Sequence, residues 1–418
     1  MNLELLRFQH GIGQGGFHTS SFVLRDKDKR PCGSFVLVFD CGTLSSGPHG
    51  ESPADFLSAE ICTSMKPGQV VDAFFISHLD NDHLSGAEEL CNRCNVRRVF
   101  LPYFEQEELA LFVAQNILSN KKSALGPAGL AIAVKALGGG SLFGAPVTRI
   151  GGPPVDGERE QRGDEPSTEG EPRIGVVQVS RTGFRSTLGG SLPNGSGIGL
   201  SVAGIHIPWL LLPWSYKQSP VGLAQLLTDV PELGKVCFGA ATVTARDMEE
   251  LIALRPRIRA SLTKIIKAAG GIYASDFNAP SICLYSGPLI NDPRIHRQRY
   301  LDRGTTHSLA QKDPIGWVTT GDAILSKYEP EFFSMFDPFL NYTGTYVLPH
   351  HGSLKNHSLE FVKRVRGRFA LICARSGSKD HPHPYVLADL ATFSEEHRIL
   401  TQYLVGGVKE TVSMTFRL

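Results

Sequence analysis

The densest run of chemically useful side chains in the sequence is HLDNDH, which sets His78, Asp80, Asp82 and His83 almost side by side. From the chain's own His and Asp frequencies, such a string arises by chance about once in a thousand chains of this length. Imidazole and carboxylate hold Zn²⁺ or Mn²⁺, and a tight strand-to-helix loop aims alternate side chains at two adjacent ions. Two later strings repeat the arrangement of a strand ending in a ligand-capable residue: WVTTGDA supplies Asp322, and TYVLPHHGS supplies His350 and His351. Together the three strings predict a dinuclear metal centre with two divalent ions, Zn²⁺ or Mn²⁺.

Regular elements must hold these strings in place. VVDAFFIS (70–77) is a β-branched and aromatic run suited to a buried strand, and it leads into HLDNDHLSGAEELCNRC, which reads as a loop entering a helix. Strands are expected at 20–24, 34–39 and 96–102, with a helix at 106–118. GIGQGG (11–16) spells a dinucleotide fingerprint, but HTSSFVL follows it, strand-like and opening no βαβ unit, so that reading is rejected. Further on, strands are expected at 281–285, 316–320, 346–349 and 369–374, with helices at 359–365 and 386–397. Strands mixed with helices in both halves predict an α/β layered fold.

From about Leu137 to Pro220 the texture changes, and an insertion is expected within about 105–275. Its charged, Gly- and Pro-rich stretch at 156–172 predicts a mobile surface loop of about 150–175. HIPWLLLPWSY (206–216) is too short to span a bilayer; it reads as a core strand, with a partner or substrate surface as the alternative. A helix at 244–269, interrupted near Pro256, carries Arg255, Arg257, Arg259, Lys264 and Lys267.

Length and composition bound the class. The 418 residues suit one large domain or two modest ones. With 41% hydrophobic and 20% charged residues, mean hydropathy near zero and no apolar run approaching membrane-spanning length, neither a disordered nor a membrane-spanning chain fits. A net charge of +1 excludes a polycation that binds nucleic acid by bulk charge, so an anionic ligand must meet a local patch. MNLELLRFQHG shows no secretory or transit pattern, which makes the cytoplasm the expected location, with no membrane partner. The eight cysteines are scattered, and the lone CxxC of Cys91 and Cys94 reads as buried thiols rather than a zinc site.

HLDNDH resembles the H-x-H-x-D-H signature of the metallo-β-lactamase fold, with FDCG at Asp40, TGDA at Asp322 and PHHGS at His350 standing where that superfamily has its other motifs. More narrowly, GIGQGG, HLDNDHLSG, NAPSICLYSG, LPHHGSLKNHS and KDHPHPYVLADL resemble ComEC-type competence hydrolase domains and their free-standing relatives. The motifs span 10–390, with none between about 105 and 275. The resemblance implies an αββα sandwich over 1–418, interrupted by the insertion. It implies His78 and Asp80 on one ion, Asp82 and His83 on the other, Asp322 bridging, and His350 completing the second site, with His351 the less favoured choice. Asp40 would orient the motif loop. Asn278 falls where most superfamily members have a histidine ligand, and Asp80 replaces the usual second histidine. Two nitrogens exchanged for oxygens harden the first site and move its preference from Zn²⁺ towards Mn²⁺.

The implied activity is a metal-dependent phosphodiesterase or nuclease acting on DNA or RNA, free-standing and working in DNA processing or bacterial defence. Asp82 or Asp322 would hold the attacking hydroxide; His381 and His383 would bind a phosphate oxygen or act as general acid; Lys355 and His357 would touch the same phosphate. Basic runs at Arg294, Arg297, Arg299 and Arg303, and at Lys363, Arg364, Arg366 and Arg368, either track a phosphate backbone or form solvated faces. His18 either faces the site or is a buried, hydrogen-bonded ring. Two other functions stay open: hydrolysis of a small substrate such as a cyclic nucleotide or lactone, and a degenerate-site scaffold whose Trp-bearing insertion binds a protein partner. Oligomeric state is not readable from the sequence.

Overall fold

Period-two alternation along the central strands decides the layering. In Pro31–Thr43, Leu37 and Phe39 enter one apolar core while Val38 enters another on the opposite face; Phe75 and Phe74 divide in the same way. In Ile205–Ser215, Leu211 joins the core that receives Leu37, while Leu210 and Leu212 face a third. Two sheets therefore share one inner core, and each has an outer face that helices cover.

This arrangement is seen in a computed structural model that describes residues 1–118, 127–138, 140–152, 173–175, 179–180, 183–184, 191–202, 205–216, 223–239, 242–268, 280–289, 296–302, 307–310, 314–365, 369–394, 396–401 and 407–416. The chain is mixed α/β, with an 11-stranded and an 8-stranded sheet among the described residues. In the larger sheet Gly15–Arg25 pairs antiparallel with Asn2–Gln9 and with Pro31–Thr43; beyond these, Ala73–Phe75, Val99–Pro102 and Ala145–Ile150 run parallel. In the smaller sheet Ile205–Ser215, Ile282–Pro288 and Gly316–Thr319 are antiparallel neighbours, and from Gly316–Thr319 onward Thr343–Val347, Phe369–Cys373 and Glu396–Leu400 are parallel. Parallel strands send their C-terminal ends, and the loops after them, to one edge of a sheet, where ligand sites of open α/β folds are built.

The helices Pro53–Ser64, Ala87–Arg93, Gln106–Leu118 and Pro127–Leu137 cover the outer face of the larger sheet. Leu325–Leu340, Leu359–Arg364 and Pro384–Phe393 cover that of the smaller, through Phe332, Phe336, Phe361, Val386 and Leu390. No helix among the described residues is long and apolar enough to cross a membrane.

Several expectations shift in detail. The stretch 105–275 contributes Ala145–Ile150 to the larger sheet and Ser196–Val202 and Ile205–Ser215 to the smaller, so this part of the expected insertion is woven into both sheets. Trp209 and Trp214 are buried, which makes HIPWLLLPWSY a core strand rather than a free surface. The helix expected at 244–269 is two helices, Ala245–Ala253 and Arg255–Ala268, because Leu254 interrupts them just before Pro256. The helix expected at 386–397 is Pro384–Phe393; it stops at Ser394 because Glu396–Leu400 extends to pair with Phe369–Cys373. The loop expected at 156–172 lies outside the described residues, as does Asn278.

Candidate metal centre

The first ligand string follows Ala73–Phe75. Asp80 stands at the N-cap of the one-turn helix Asn81–Leu84, and that turn brings Asp82 and His83 inward; His78, Asp82 and His83 are all buried. Glycine makes room for the turn. A Cβ on Gly42 would lie 2.5 Å from the His83 nitrogen, and one on Gly15 would lie 2.7 Å from the Asp82 carbonyl oxygen. The rejected fingerprint GIGQGG therefore has a packing role: it lets the first hairpin press against the ligand loop.

Asp322 enters from the end of Gly316–Thr319 after Gly321 (φ +49°), and His350 and His351 follow Thr343–Val347. Among the described residues, five other than glycine have positive φ, and three of them are in this site: Asp40 (56°), His350 (46°) and His351 (55°). Such backbone strain persists only where surrounding structure holds it, and it gathers at functional sites.

Asp322 is the hub. Its Oδ1 lies 3.4 Å from His83 Nε2; its Oδ2 lies 3.6 Å from His78 Nε2 and 3.7 Å from His350 Nε2. Asp82 Oδ2 is 3.2 Å from His351 Nε2, and Asp80 Oδ2 is 3.7 Å from His78 Nε2. Among the described residues, three groupings have ligand atoms mutually within 4.8 Å: His78, His83 and Asp322; Asp82, His83 and His351; and His78, Asp80 and Asp82. His351, ranked behind His350 in the sequence, is the ring that faces Asp82, whereas His350 shares an Asp322 oxygen with His78.

Hydrogen bonds behind the site fix which nitrogen of each ring carries a proton. His351 Nδ1 meets the Cys373 carbonyl oxygen at 2.7 Å; a carbonyl only accepts, so Nδ1 donates. His83 Nδ1 donates to Asp40 Oδ2 at 2.7 Å. Ser77 Oγ donates to Asp40 Oδ2 at 2.8 Å and therefore accepts from His78 Nδ1 at 3.0 Å. Asn356 Nδ2 donates to the Asp322 carbonyl oxygen, which leaves Asn356 Oδ1 to accept from His350 Nδ1 at 3.1 Å. In the neutral rings, all four Nε2 atoms then carry a lone pair, and all four are aimed at carboxylates. The Nε2 atoms of His78 and His83 are buried with no hydrogen-bond partner. Lone pairs facing carboxylates repel unless a cation lies between them, and carboxylate- or carbonyl-oriented histidine is the usual support of a metal ligand.

The proton equilibria carry the same demand. Burial works against charge on His83, but the carboxylates of Asp322 and Asp40 outweigh it and lift the ring well above its usual range. Burial and His83 press on His78, yet Asp322 and Asp80 prevail and raise it; His351 is raised against burial by Asp322 and Asp82. Burial opposes the ionised form of Asp322 and Asp82 too, but the histidines around them hold both carboxyls below the usual range.

Asp40 stands behind the ligand loop. It accepts from Ser77 N at 2.6 Å, from Ser77 Oγ and from His83 Nδ1, and among the described residues no metal-capable grouping includes it. Asp40→Ala is expected to weaken metal affinity about 10- to 100-fold while the other ligands stay in place. Titration with Mn²⁺ against a competing chelator checks this; unchanged affinity would mean that packing alone orients His83.

The other expected site residues divide. His381 stacks on His350, centroids 5.3 Å apart and planes within 21°, and burial, followed by the charges of His350 and His351, lowers its pKa. It is a neutral hydrogen-bonding ring at pH 7 rather than a loaded acid. His383 caps the helix Pro384–Phe393, its Nδ1 accepting from Tyr385 N. His357 is taken by Asp389 at 2.8 Å, and Lys355 is exposed on the turn after the paired histidines. His18 is buried, bonded to Gln9 and Ser20 and stacked on Trp317, so it is a core ring. Of the two basic runs, Arg364 is committed to Glu360 and Asp337, and Lys363 lies over Phe393. Arg294, Arg303, Arg366 and Arg368 lie outside the described residues. Cys91 and Cys94 enter no metal-capable grouping among the described residues, and burial pushes the Cys91 thiol up to about 12.

Sequence reasoning missed Ser77, Ser281 and Asn356. Ser281 Oγ accepts from Asp322 N at 2.9 Å, and Asn356 holds both His350 and the Asp322 backbone. Each acts through one or two hydrogen bonds, which leave no spacing pattern; only adjacency to a motif pointed to them. No family model matches the chain, and no curated protein matches it significantly.

Proposed function

We propose that the chain is a metal-dependent phosphodiesterase of the metallo-β-lactamase architecture, with a polynucleotide as substrate. The observation that carries the reading is the convergence of four histidine Nε2 lone pairs, each fixed by a hydrogen bond behind the ring, on the carboxylates of Asp80, Asp82 and Asp322. The two facing sheets with helices outside them, and the motif order from HLDNDH to KDHPHP, support the architecture.

His78, Asp80, Asp322 and His350 would hold one divalent ion, and Asp82, His83, His351 and Asp322 a second. Bound there, such ions supply Lewis acidity, bringing the pKa of water towards neutrality and offsetting charge on a phosphoryl group. The chain's own residues do the rest. Asp40, Ser77, Asn356 and the Cys373 carbonyl keep protons on the Nδ1 atoms, so that the ligand lone pairs stay directed inward. Asp82 and Asp322, held ionised, accept hydrogen bonds from the attacking water and orient it. His381, stacked at the rim, donates a hydrogen bond to a phosphate oxygen.

A polynucleotide is favoured over a small enclosed substrate because the loops that carry and flank the ligands expose Lys355, Arg375 and Lys379 to solvent, where a phosphate backbone would meet them. A cytoplasmic setting belongs to the same proposal and is supported by eight free thiols.

The test is metal analysis of purified protein joined to cleavage of single- and double-stranded DNA with Mn²⁺, Mg²⁺ and Zn²⁺, with Asp82→Ala as control. About two ions per chain and metal-dependent cleavage lost in the variant are expected. Bound metal without diester cleavage would turn the reading to lactones; no bound metal would leave the scaffold reading.

A further inference from the structure

Tyr385 is 69% exposed, the most exposed large apolar side chain among the described residues, and it lies four residues beyond His381, which stacks on His350. It opens the helix Pro384–Phe393, with its ring 5.4 Å from that of His383. The segment beneath it is fastened to the ligand turn: His383 N donates to the Gly352 carbonyl oxygen at 3.0 Å, and a Cβ on Gly352 would meet Pro382 at 2.8 Å. Two residues earlier His381 stacks on His350, whose Nε2 lies 3.7 Å from Asp322 Oδ2. Ring contacts thus stand at both ends of this short segment, Tyr385 with His383 at its exposed end and His381 with His350 beside the hub carboxylate. The same loop exposes Arg375 and Lys379, with Asp380 the acidic neighbour, and is braced by Ser378 N on the Arg375 carbonyl and His381 N on Ser378 Oγ.

An open aromatic face, exposed cations on the loop that leads to it and the proposed diesterase centre match one chemistry, that of a nucleotide within a single strand. We propose that Tyr385 is a base-stacking platform: the nucleobase next to the scissile phosphate lies on its ring, and Arg375 and Lys379 meet the adjoining phosphate. This rests on the diesterase reading and assigns Tyr385 to substrate positioning, not to the chemical step.

Two measurements separate this proposal from that reading. Binding of a fluorescent single-stranded oligodeoxynucleotide, followed by anisotropy in chelator, needs no turnover; Tyr385→Ala is expected to weaken it about ten-fold and Tyr385→Trp to restore it. With Mn²⁺, the alanine variant is expected to raise KM for the oligonucleotide by a similar factor and to leave hydrolysis of bis(p-nitrophenyl) phosphate unchanged. Equal oligonucleotide binding by wild type and Tyr385→Ala, or no binding by either, overturns the platform. Failure of wild type to hydrolyse the small diester overturns the diesterase reading instead, whichever way the binding measurement falls.

Discussion

Asp322→Asn is expected to reduce diester hydrolysis about a hundred- to a thousand-fold and to lower the bound divalent ions by at least one per chain. Both carboxylate oxygens are engaged, Oδ1 towards His83 and Oδ2 towards His78 and His350. An amide of the same shape carries no charge and offers a single acceptor oxygen, and its NH₂ donates to ring nitrogens whose lone pairs a metal would need. The backbone anchors of the position, Asp322 N on Ser281 Oγ and Asn356 on the Asp322 carbonyl oxygen, do not involve the carboxylate, so the loop keeps its place. Circular dichroism should therefore match wild type while metal content and turnover fall together. Full metal content with full activity in Asp322→Asn would show that the two sides of the cluster do not share this carboxylate. Asp322→Ala adds a cavity to the same loss and serves as the second variant.

How much of this was readable in the sequence follows from how far apart the cooperating residues lie. HLDNDH announced itself because the four residues share one loop, and Asp322 and His350 because each ends an apolar strand beside glycine or proline. The ranking of His350 over His351 could not come from the string PHHGS. It depends on two consecutive left-handed residues that turn His351 under the site to Cys373 and Asp82. The first strand, Asn2–Gln9, alternates in burial, but buried Arg7 breaks its apolar pattern. Arg7 is tolerated inside because Glu410, the Ile315 and Ser286 carbonyl oxygens and the face of Trp209 receive it, partners hundreds of residues away. The helix Leu325–Leu340 was hidden by Pro330 and Pro338, which lower helix propensity; burial of Phe332, Phe336 and Leu340 against the smaller sheet overrides it. By contrast, Gln106–Leu118 begins and ends where its pattern predicted, since its own apolar spacing suffices to define it.

Metal affinity should climb with pH from about pH 6, by about ten-fold per unit for each ring proton displaced on binding, and level off once the rings are neutral. The sign follows from the cluster without metal. His78, His83 and His351 are raised above the ordinary 6.5 by the carboxylates around them. A group raised on folding stabilises the fold fully below its unfolded value, and that contribution is lost as pH rises through the folded one. Asp82 and Asp322 are depressed below the ordinary 3.8, so their contribution is present above that value and is lost as pH falls through the lowered ones. The cluster thus favours the metal-free fold most between about pH 4 and 6.5 and less as the solution becomes alkaline. A divalent ion must expel the ring protons to reach the Nε2 lone pairs, which costs affinity at pH 6 and little once the rings are neutral. Two measurements follow. The rise in Tm produced by Mn²⁺ should grow from pH 6 to pH 8, and calorimetric titration in two buffers of different ionisation enthalpy should count at least one proton released per chain at pH 6.5. An affinity flat across this range with no proton released would mean that the ion binds elsewhere, because rings held protonated by Asp322, Asp40 and Asp82 cannot become ligands without giving up that proton.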